Sequence, residues 1–493
     1  MSKSTSIKLN FIMNALLTMS SFIFPLITFP YVSRILLPEG TGKVSFATSV
    51  VSYFALFAQL GIPTYGIRAC AQVRDDKIKL TRTVHELLII NLIMSAIAYL
   101  AFFVALYNVP RLSQDKTLFL IASSSILFNA IGMEWLYKAL EQYTYITIRS
   151  VAFKFIALIA MFLLVHQKSD YIVYGGISTV AAFASNIFNF IHARHYVSAR
   201  LVGHYNLKRH MKAIFVFFAM SCAVTIYTNL DTVMLGFMAT DADVGCYSAA
   251  VKIKNVLLGV VSSLGNVLLP RASYYVENQM MDDFYRITKK AINFVFLLSL
   301  PLMLYFMLFA KEGIFFLSGN AYADAIVPMQ IIMLTIVLIG LTGIMGIQML
   351  VPLGKEKIVL YSEIAGAITD LVLNAILIPR IASAGAAIGT LVAELVVWIV
   401  QFVFLRSEVI DAYRKIRYGL IFWALMGGTI ASLWVRLLSL GTFFTLVVTA
   451  ILFFGVYGVI LLLGKEPLTC DLVQQGFQTA GRIWKEKHKG EKQ

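Results

Sequence analysis

The sequence predicts an all-α protein that crosses a membrane many times. Of its 493 residues, 59% are hydrophobic and 14% are charged, and the mean hydropathy is +0.79. A soluble domain requires far more polar surface than this composition offers. The apolar residues also form runs of about 20, the length that a helix needs to cross a hydrocarbon core of about 30 Å. The period-two alternation of a membrane β-barrel is absent from the sequence.

Fourteen apolar segments can be delimited along the chain. They cover residues 10–33, 44–63, 86–108, 117–138, 146–165, 170–192, 212–237, 246–269, 290–310, 325–350, 358–378, 384–405, 417–438 and 442–463. The first segment lacks a small-residue cleavage site, so we expect it to be retained as a helix and not removed as a signal peptide. The sequence therefore predicts fourteen transmembrane helices.

Lysine and arginine are distributed unevenly between the two sides of the membrane. With both termini inside, 30 of the 41 Lys and Arg residues fall in inner segments and eight in outer segments. Cytoplasmic loops retain these residues, so both termini are predicted to be cytoplasmic. The net charge of +15 then lies mainly beside anionic lipid headgroups, and it does not indicate binding to nucleic acid.

The two halves of the sequence resemble each other at an offset of about 203 residues. VSRILL at residues 32–37 corresponds to LDTVML at residues 230–235, and GKVSFA at residues 42–47 corresponds to GCYSAA at residues 245–250. The offset spans six helices, an even number, so the halves are expected to share one topology as parallel repeats. The predicted parts are an N-lobe of residues 1–208, a C-lobe of residues 209–406, and helices 13 and 14 with a basic cytoplasmic tail in residues 407–493.

The sequence contains no recognisable catalytic machinery. Apart from the tail, no aqueous segment exceeds about twenty residues. GTGK at residues 40–43 lacks the first glycine of a phosphate-binding loop and follows no strand. HARH at residues 192–195 offers metal-ligand chemistry, but contact with the inner leaflet is the favoured interpretation. The sequence therefore predicts no enzyme activity, no metal site and no cofactor.

Charged residues inside predicted helices are the strongest pointers to function, because a charge is costly in hydrocarbon. Lys154 lies near the middle of helix 5, where it either pairs with Glu134 or faces a cavity. Asp231 and Lys252 each lie about six residues from the outer ends of neighbouring helices, so they can meet. Lys254 lies about 200° around the helix from Lys252, so both cannot face one cavity.

Three acids lie in the last predicted helices of the second half. Glu363 and Asp370 belong to helix 11, and Glu394 lies in the middle of helix 12. Desolvation can make such carboxylates carry protons, although they can equally form neutral hydrogen-bonded contacts between helices. In the same region, Gly385 and Gly389 of AGAAIGT predict close packing of helices.

Several segments resemble the bacterial polysaccharide repeat-unit flippases, which export O-antigen and capsule units within the multidrug/oligosaccharidyl-lipid/polysaccharide superfamily. The segments are PYVSRILLPEGTGKVSFATSVVSYFALFAQLGIPTYGIR at residues 30–68, TNLDTVMLGFMATDADVGCYSAAVKI at residues 228–253, PLGKEKI at residues 352–358 and LNAILIPRIASAGAAIGTLVAELV at residues 373–396. The resemblance extends to about Arg406, and helices 13 and 14 are more variable.

This resemblance implies a substrate, a direction and a set of site residues. The substrate would be an oligosaccharide on undecaprenyl pyrophosphate, moved from the cytoplasmic to the outer leaflet of the inner membrane by alternating access of two lobes. The implied cavity cations are Arg34, Lys154, Lys252, Lys254, Arg68 and Arg271. Coupling to a proton or sodium gradient is implied, with Asp231, Glu134, Asp370 and Glu394 as candidate carriers. Anionic lipids and the polysaccharide polymerase machinery are further implied partners.

Three other functions and one other role for Arg34 stay open. A multidrug exporter of the same superfamily would favour an acidic cavity, whereas cations match or exceed acids at the candidate positions here. A peptidoglycan-precursor flippase is closer and harder to exclude. An oligosaccharide polymerase would need a sizeable outer loop, which the sequence does not show. Arg34 either faces the cleft or extends to phosphate headgroups at the membrane surface.

Overall fold

The computed structural model describes residues 7–438, 440–471 and 474, and these residues contain no β-strand. The α-helices are α1 (Ile7–Gln59), α2 (Ile62–Ala71), α3 (Lys77–Asn108), α4 (Pro110–Ser113), α5 (Lys116–Gly132), α6 (Glu134–Ala139), α7 (Tyr143–Leu164), α8 (Tyr171–Thr179), α9 (Asn186–His192), α10 (Lys208–Met238), α11 (Asp241–Glu277), α12 (Met281–Leu308), α13 (Ala310–Ser318), α14 (Ile326–Met333), α15 (Thr335–Thr342), α16 (Glu356–Phe404), α17 (Arg406–Lys415), α18 (Tyr418–Leu433) and α19 (Thr442–Leu463). Short 3-10 helices cover Lys168–Asp170, Ala193–His195, Asn320–Ala325 and Trp434–Leu438, and π-helices cover Val180–Ala184 and Gly343–Leu350. The predicted basic tail beyond residue 474 lies outside the described residues.

Many of these helices are long and apolar enough to cross a membrane. The described residues contain 11 such helical segments, or 12 if the two parts of α10 form one crossing. These parts, Lys208–Cys222 and Val224–Met238, meet at an angle of 40°. The prediction of an all-helical protein with many crossings is therefore confirmed, while the number fourteen and the cytoplasmic termini stay predictions.

Two helices are long enough for two crossings each, and both are interrupted where the sequence separates two segments. α1 has 53 residues, or about 80 Å at 1.5 Å per residue, against a hydrocarbon core of about 30 Å. Its backbone leaves helical geometry at Leu37, where φ is 60° immediately before Pro38. α16 has 49 residues and leaves helical geometry at Ile381 and Ala382. Each break lies between two predicted apolar segments.

The two parts of α16 pack closely through glycines. A Cβ at Gly385 would lie 2.7 Å from the carbonyl carbon and oxygen of Leu377. A Cβ at Gly389 would lie 2.3 Å from Oδ1 of Asn374. The close packing predicted from AGAAIGT is confirmed, because a methyl group at either position would displace the opposing segment.

The chain forms two compact units, each with its own apolar core. The first contains Met1–Ala249, Leu317–Ala325 and Asp370–Gly389, and the second contains Ala250–Phe316, Ile326–Thr369 and Thr390–Gln493. In the first unit, Ile62, Leu87 and Leu136 belong to one fully buried cluster. In the second unit, Tyr305, Phe309 and Phe453 pack together. The lobe boundaries at residues 208 and 406 stay predictions.

Candidate functional site

Asp231 is a buried carboxylate that joins three helices of the first unit. It lies on α10 with 7% of its surface exposed. The side-chain amide of Asn374, on α16, donates a hydrogen bond of 2.6 Å to Asp231 Oδ1. The hydroxyl of Tyr247, on α11, donates to Asp231 Oδ2. Both carboxylate oxygens therefore accept hydrogen bonds, as a polar group removed from water requires.

Asp370 lies beside this arrangement. It is one helical turn before Asn374 on α16, and 1% of its surface is exposed. Gly389 packs against both residues, since a Cβ there would lie 2.3 Å from Asn374 Oδ1 and 3.0 Å from Asp370 Oδ1. We call Asp231, Tyr247, Asp370 and Asn374 the acidic cluster. Buried carboxylates with amide and hydroxyl oxygens can take up a proton or a hard cation, because both events neutralise charge away from water.

The four predicted carriers occupy three different environments. Asp231 and Asp370 both belong to the acidic cluster. Glu134 lies on α6 and forms an ion pair of 2.8 Å with Lys138, one turn along the helix. Glu394 is 6% exposed and belongs to the second unit. The sequence analysis missed Asn374 and Tyr247, although Asn374 follows Asp370 by four residues, a spacing that places both on one helix face.

Lys154 lies halfway along the 22 residues of α7. Its Nζ donates hydrogen bonds to Ser20 Oγ at 2.8 Å and Ser21 Oγ at 3.0 Å, both on α1. Glu134 forms its ion pair with Lys138 instead. The predicted ion pair between Lys154 and Glu134 is therefore not formed. The lysine borders an apolar groove of about 550 Å³ between α1 and α7. A cation thus lies at the edge of a hydrocarbon-lined space.

Arg149 is a second cation on α7, and its role was not recognised from the sequence. Its Nε and Nη1 are buried and have no hydrogen-bond partner in the described part of the chain. Its guanidinium lies 5.9 Å from the ring centroid of Tyr145, which stacks on His192 at 4.2 Å. The sequence analysis places Arg149 near the inner end of the predicted segment 146–165, and in the structure it lies six residues inside α7. A guanidinium with free donors can bind an anion.

The remaining predicted cavity cations belong to both units. In the first unit, Arg34 is exposed and donates to the carbonyl oxygen of Pro30 in its own helix, and Arg68 is exposed in the last turn of α2. In the second unit, Lys252 and Lys254 are partly buried on α11. Arg271 there donates to the hydroxyl of Tyr275 at 3.1 Å. The predicted approach of Lys252 to Asp231 stays a prediction.

The two turns that correspond in the sequence repeat contact each other in the first unit. A Cβ at Gly42 would lie 1.7 Å from the carbonyl oxygen of Asp241. A Cβ at Gly245, the equivalent glycine, would lie 2.0 Å from the carbonyl oxygen of Pro38. In the same region, the Arg111 guanidinium forms an ion pair with the Asp241 carboxylate. Because each turn presents backbone to the other, both positions require glycine.

Comparison with known proteins identifies families and relatives. A family model described as “Polysaccharide biosynthesis protein” matches residues 7–276, and one described as “MatE” matches residues 217–376. Two curated relatives carry the name “Putative O-antigen transporter”. The one from Escherichia coli (strain K12) is 24% identical over 406 residues, covering 82% of this chain and 97% of the relative. The one from Shigella dysenteriae is 26% identical over 398 residues, covering 79% and 98%.

Solved structures share the fold. “Lipid II flippase MurJ, inward closed conformation” has a TM-score of 0.71 and 13% identity, covering 91% of this chain and 98% of that one. An inward-facing multidrug resistance MATE family transporter of the MOP superfamily has a TM-score of 0.61 and 16% identity, covering 82% and 99%. At these identities, the likeness establishes the fold of the chain.

Proposed function

Because the chain belongs to the polysaccharide biosynthesis protein family, we propose that it moves oligosaccharide repeat units linked to undecaprenyl pyrophosphate across the bacterial inner membrane. The units pass from the cytoplasmic to the outer leaflet and are used for surface polysaccharide. Two relatives named as O-antigen transporters support this destination. The protein acts as a flippase and not as an enzyme.

The proposed architecture has fourteen crossings. Two six-helix lobes, residues 1–208 and 209–406, alternate access, and residues 407–493 add helices 13 and 14 and the tail. The interruptions of α1 at Leu37 and of α16 at Ile381 support this number, because each divides one long helix into two lengths that suit the membrane. Both termini are cytoplasmic in this proposal. A reporter that is active only in the cytoplasm should be active when fused to either terminus.

The observation that carries the proposal is Lys154 at the middle of an apolar helix. A lysine at the centre of a membrane helix costs about 2.5–3.5 kcal/mol, and its hydrogen-bond partners, Ser20 and Ser21, are neutral. Glu134 attracts it without direct contact and is paired with Lys138. A pyrophosphate would supply a negative charge in direct contact. The adjoining groove is lined by apolar side chains and suits a polyisoprenoid chain. Arg149, with its free donors on the same helix, is a second proposed phosphate contact.

The other predicted cavity cations are further proposed phosphate contacts. They are Arg34, Arg68, Lys252, Lys254 and Arg271. Each replaces water around the phosphates as the headgroup moves. Outside the cavity, basic segments contact anionic lipids, and the polymerase machinery receives the exported units.

We place cation coupling at the acidic cluster. Asp231 and Asp370 are buried there among oxygen atoms, whereas Glu134 is already paired with Lys138. Uptake of a proton or a sodium ion by the two aspartates would change the hydrogen bonds that join α10, α11 and α16. Glu394, buried in the second unit, is the alternative carrier.

Deletion of the gene in its host bacterium tests this function. Lipid-linked repeat units should accumulate in the inner leaflet, and surface polysaccharide should fall. The wild-type gene and Lys168→Met, a change at an exposed lysine beyond the end of α7, should restore export. Lys154→Met should not. Normal export after deletion would contradict the function, and full export by Lys154→Met at equal expression would remove Lys154 from the path.

A further inference from the structure

The first unit contains a cavity of about 300 Å³ that none of the sites described above uses. Most of its exposed lining is apolar, and we call it the polar cavity after the hydroxyl and amide side chains that reach it. Eight of its 15 lining residues carry a hydroxyl or an amide side chain. No charged side chain belongs to this lining among the residues that the structure describes. The cavity therefore combines hydrogen-bonding groups with apolar surface and has no net charge, unlike the acidic cluster and the surroundings of Lys154.

Three helices each contribute two polar side chains one turn apart. The pairs are Thr48 and Ser52 on α1, Ser125 and Asn129 on α5, and Ser221 and Thr225 on α10. Residues four positions apart lie on the same face of a helix. Each of these helices thus directs a polar face into the same cavity, an arrangement that apolar helix packing alone would not produce.

The fourth wall comes from an irregular stretch of helix. Thr179 and Phe183 line the cavity, and the π-helix Val180–Ala184 lies at this position. π-helical turns occur frequently at functional sites because they redirect side chains. Thr179 donates its hydroxyl hydrogen to the carbonyl oxygen of Gly175 at 2.9 Å, and its oxygen can still accept a hydrogen bond. Phe183 adds an aromatic surface to the wall.

One end of the cavity depends on a glycine. α1 ends at Gln59, and the next two residues, Leu60 and Gly61, have φ values of 45° and 73°. A Cβ at Gly61 would lie 2.4 Å from the backbone nitrogen of Phe218, on α10. Glycine therefore allows α10 to approach this end of the cavity. The Gln59 amide belongs to the lining at the same end.

The lining has the chemistry of a neutral, polyhydroxylated ligand. The amides of Gln59 and Asn129 line the cavity, and each can both donate and accept hydrogen bonds. A phosphate would require cations, and a cationic drug would require carboxylates. A sugar ring instead presents hydroxyl groups at its edge and C–H groups on its faces, which suit the amides and Phe183. The volume lies at the lower end of the range of small-molecule sites, about 300–1,000 Å³.

We propose that this cavity binds a neutral sugar residue of the lipid-linked oligosaccharide. The inference rests on the proposed function and adds a second recognition site to it. The cations contact the pyrophosphate, and the polar cavity contacts the glycan. Discrimination between repeat units then resides in the first unit, in the side chains at positions 59, 129, 221 and 225.

The test compares two probes on purified protein in lipid nanodiscs. One is the lipid-linked oligosaccharide that accumulates in the host bacterium after deletion of this gene, and the other is undecaprenyl pyrophosphate without sugar. Wild type should bind the first about tenfold more tightly, as several net hydrogen bonds allow. The double variant Gln59→Leu/Asn129→Leu, and separately Thr225→Val, should reduce this preference and leave the affinity for undecaprenyl pyrophosphate unchanged.

Thr228→Val is the matched control, because Thr228 is an exposed threonine of α10 outside the lining and is bonded to its own helix at Val224. It should keep the preference. Equal binding of both probes by wild type, or an unchanged preference in the folded cavity variants, would overturn the sugar site alone. Failure of any lipid-linked oligosaccharide to accumulate, or failure of wild type to bind either probe, would instead contradict the proposed function and this inference with it.

Discussion

The side-chain amide of Asn374 donates a 2.6 Å hydrogen bond to Asp231, and this bond connects α16 to α10 inside the first unit. Asn374 is fully buried, and Asp370 lies one turn before it. A change in the charge of either aspartate therefore acts directly on a contact between helices. In the proposed function, cation uptake by the acidic cluster would act on the packing of these helices through this bond.

Asp231→Asn should make the transport rate independent of the proton or sodium gradient. The substitution keeps the shape of the side chain and removes its charge. We expect leaflet exchange in vesicles to lose its response to a proton or sodium gradient, with the driven rate falling about tenfold, the equivalent of about 1.4 kcal/mol. Asp243→Asn is the control, since it removes a carboxylate in the first turn of α11. A normal gradient response in Asp231→Asn would place coupling elsewhere.

Gly42→Ala and Gly245→Ala should each destabilise the first unit. Their methyl groups would lie 1.7 Å from the Asp241 carbonyl oxygen and 2.0 Å from the Pro38 carbonyl oxygen, so the turns must separate. Overpacking of this kind costs about 1–3 kcal/mol, and a lower Tm in detergent should reveal it. Gly455→Ala is the control, because nothing lies within 4 Å of the added carbon. An unchanged Tm in the first two variants would contradict the close contact.

Glu86→Ala should destabilise the packing of α3 against the start of α10. Glu86 is fully buried and accepts hydrogen bonds from His210 Nε2 at 2.8 Å, from Arg209 and from the backbone nitrogen of Asn206 at 2.7 Å. Removal of one partner of a buried ion pair leaves the other uncompensated, and we expect a loss of about 2–3 kcal/mol because Arg209 is partly exposed. The decrease in Tm on thermal unfolding measures this loss of stability.

The exposed pair of Arg74 and Glu141 provides the comparison for Glu86. Glu141→Ala should change the Tm little, since solvent screens such pairs. Equal losses of Tm in Glu86→Ala and Glu141→Ala would show that the buried contacts of Glu86 stabilise the protein no more than an exposed ion pair does.

Glu466 should make the stability of the second unit depend on pH. Burial raises the pKa of this carboxyl, but hydrogen bonds from the backbone nitrogen and hydroxyl of Thr469 and from the Asn293 amide outweigh burial and lower the pKa below its usual value. A lowered folded-state pKa contributes stability above the unfolded-state pKa of about 4.3, and that stability is lost as the pH falls through the folded-state pKa.

Glu466→Gln removes this titration. The Tm of wild type should therefore fall more steeply below about pH 4.5 than that of the variant, with the difference between them shrinking as acid is added. Parallel Tm profiles for the two proteins across the acid range would contradict the assignment.

The sequence predicts the parts of the site that depend on single unusual residues. Asp231, Asp370 and Lys154 are visible because isolated charges in apolar segments are rare. Gly42 and Gly245 are visible as equivalent positions of a repeat, although their mutual contact depends on how the turns pack. The helical class follows from hydropathy, and the break at Leu37 follows from the turn residues around it.

Other parts of the site depend on residues that are ordinary in isolation. The polar cavity is formed by serine, threonine and amide side chains from four helical segments, and such residues are common in membrane helices. Their convergence exists only in the folded chain. Arg149 lies close to a predicted helix end, where an arginine normally contacts headgroups, so its buried position also required the structure.

Leaflet exchange of substrate in vesicles tests the central claim most directly. The purified protein is reconstituted with a fluorescent undecaprenyl-pyrophosphate oligosaccharide, and a membrane-impermeant quencher reports the fraction in the outer leaflet over time. We predict exchange by wild type that a proton or sodium gradient accelerates, and loss of exchange in Lys154→Met at unchanged Tm. No exchange by folded wild-type protein under any gradient would contradict the account.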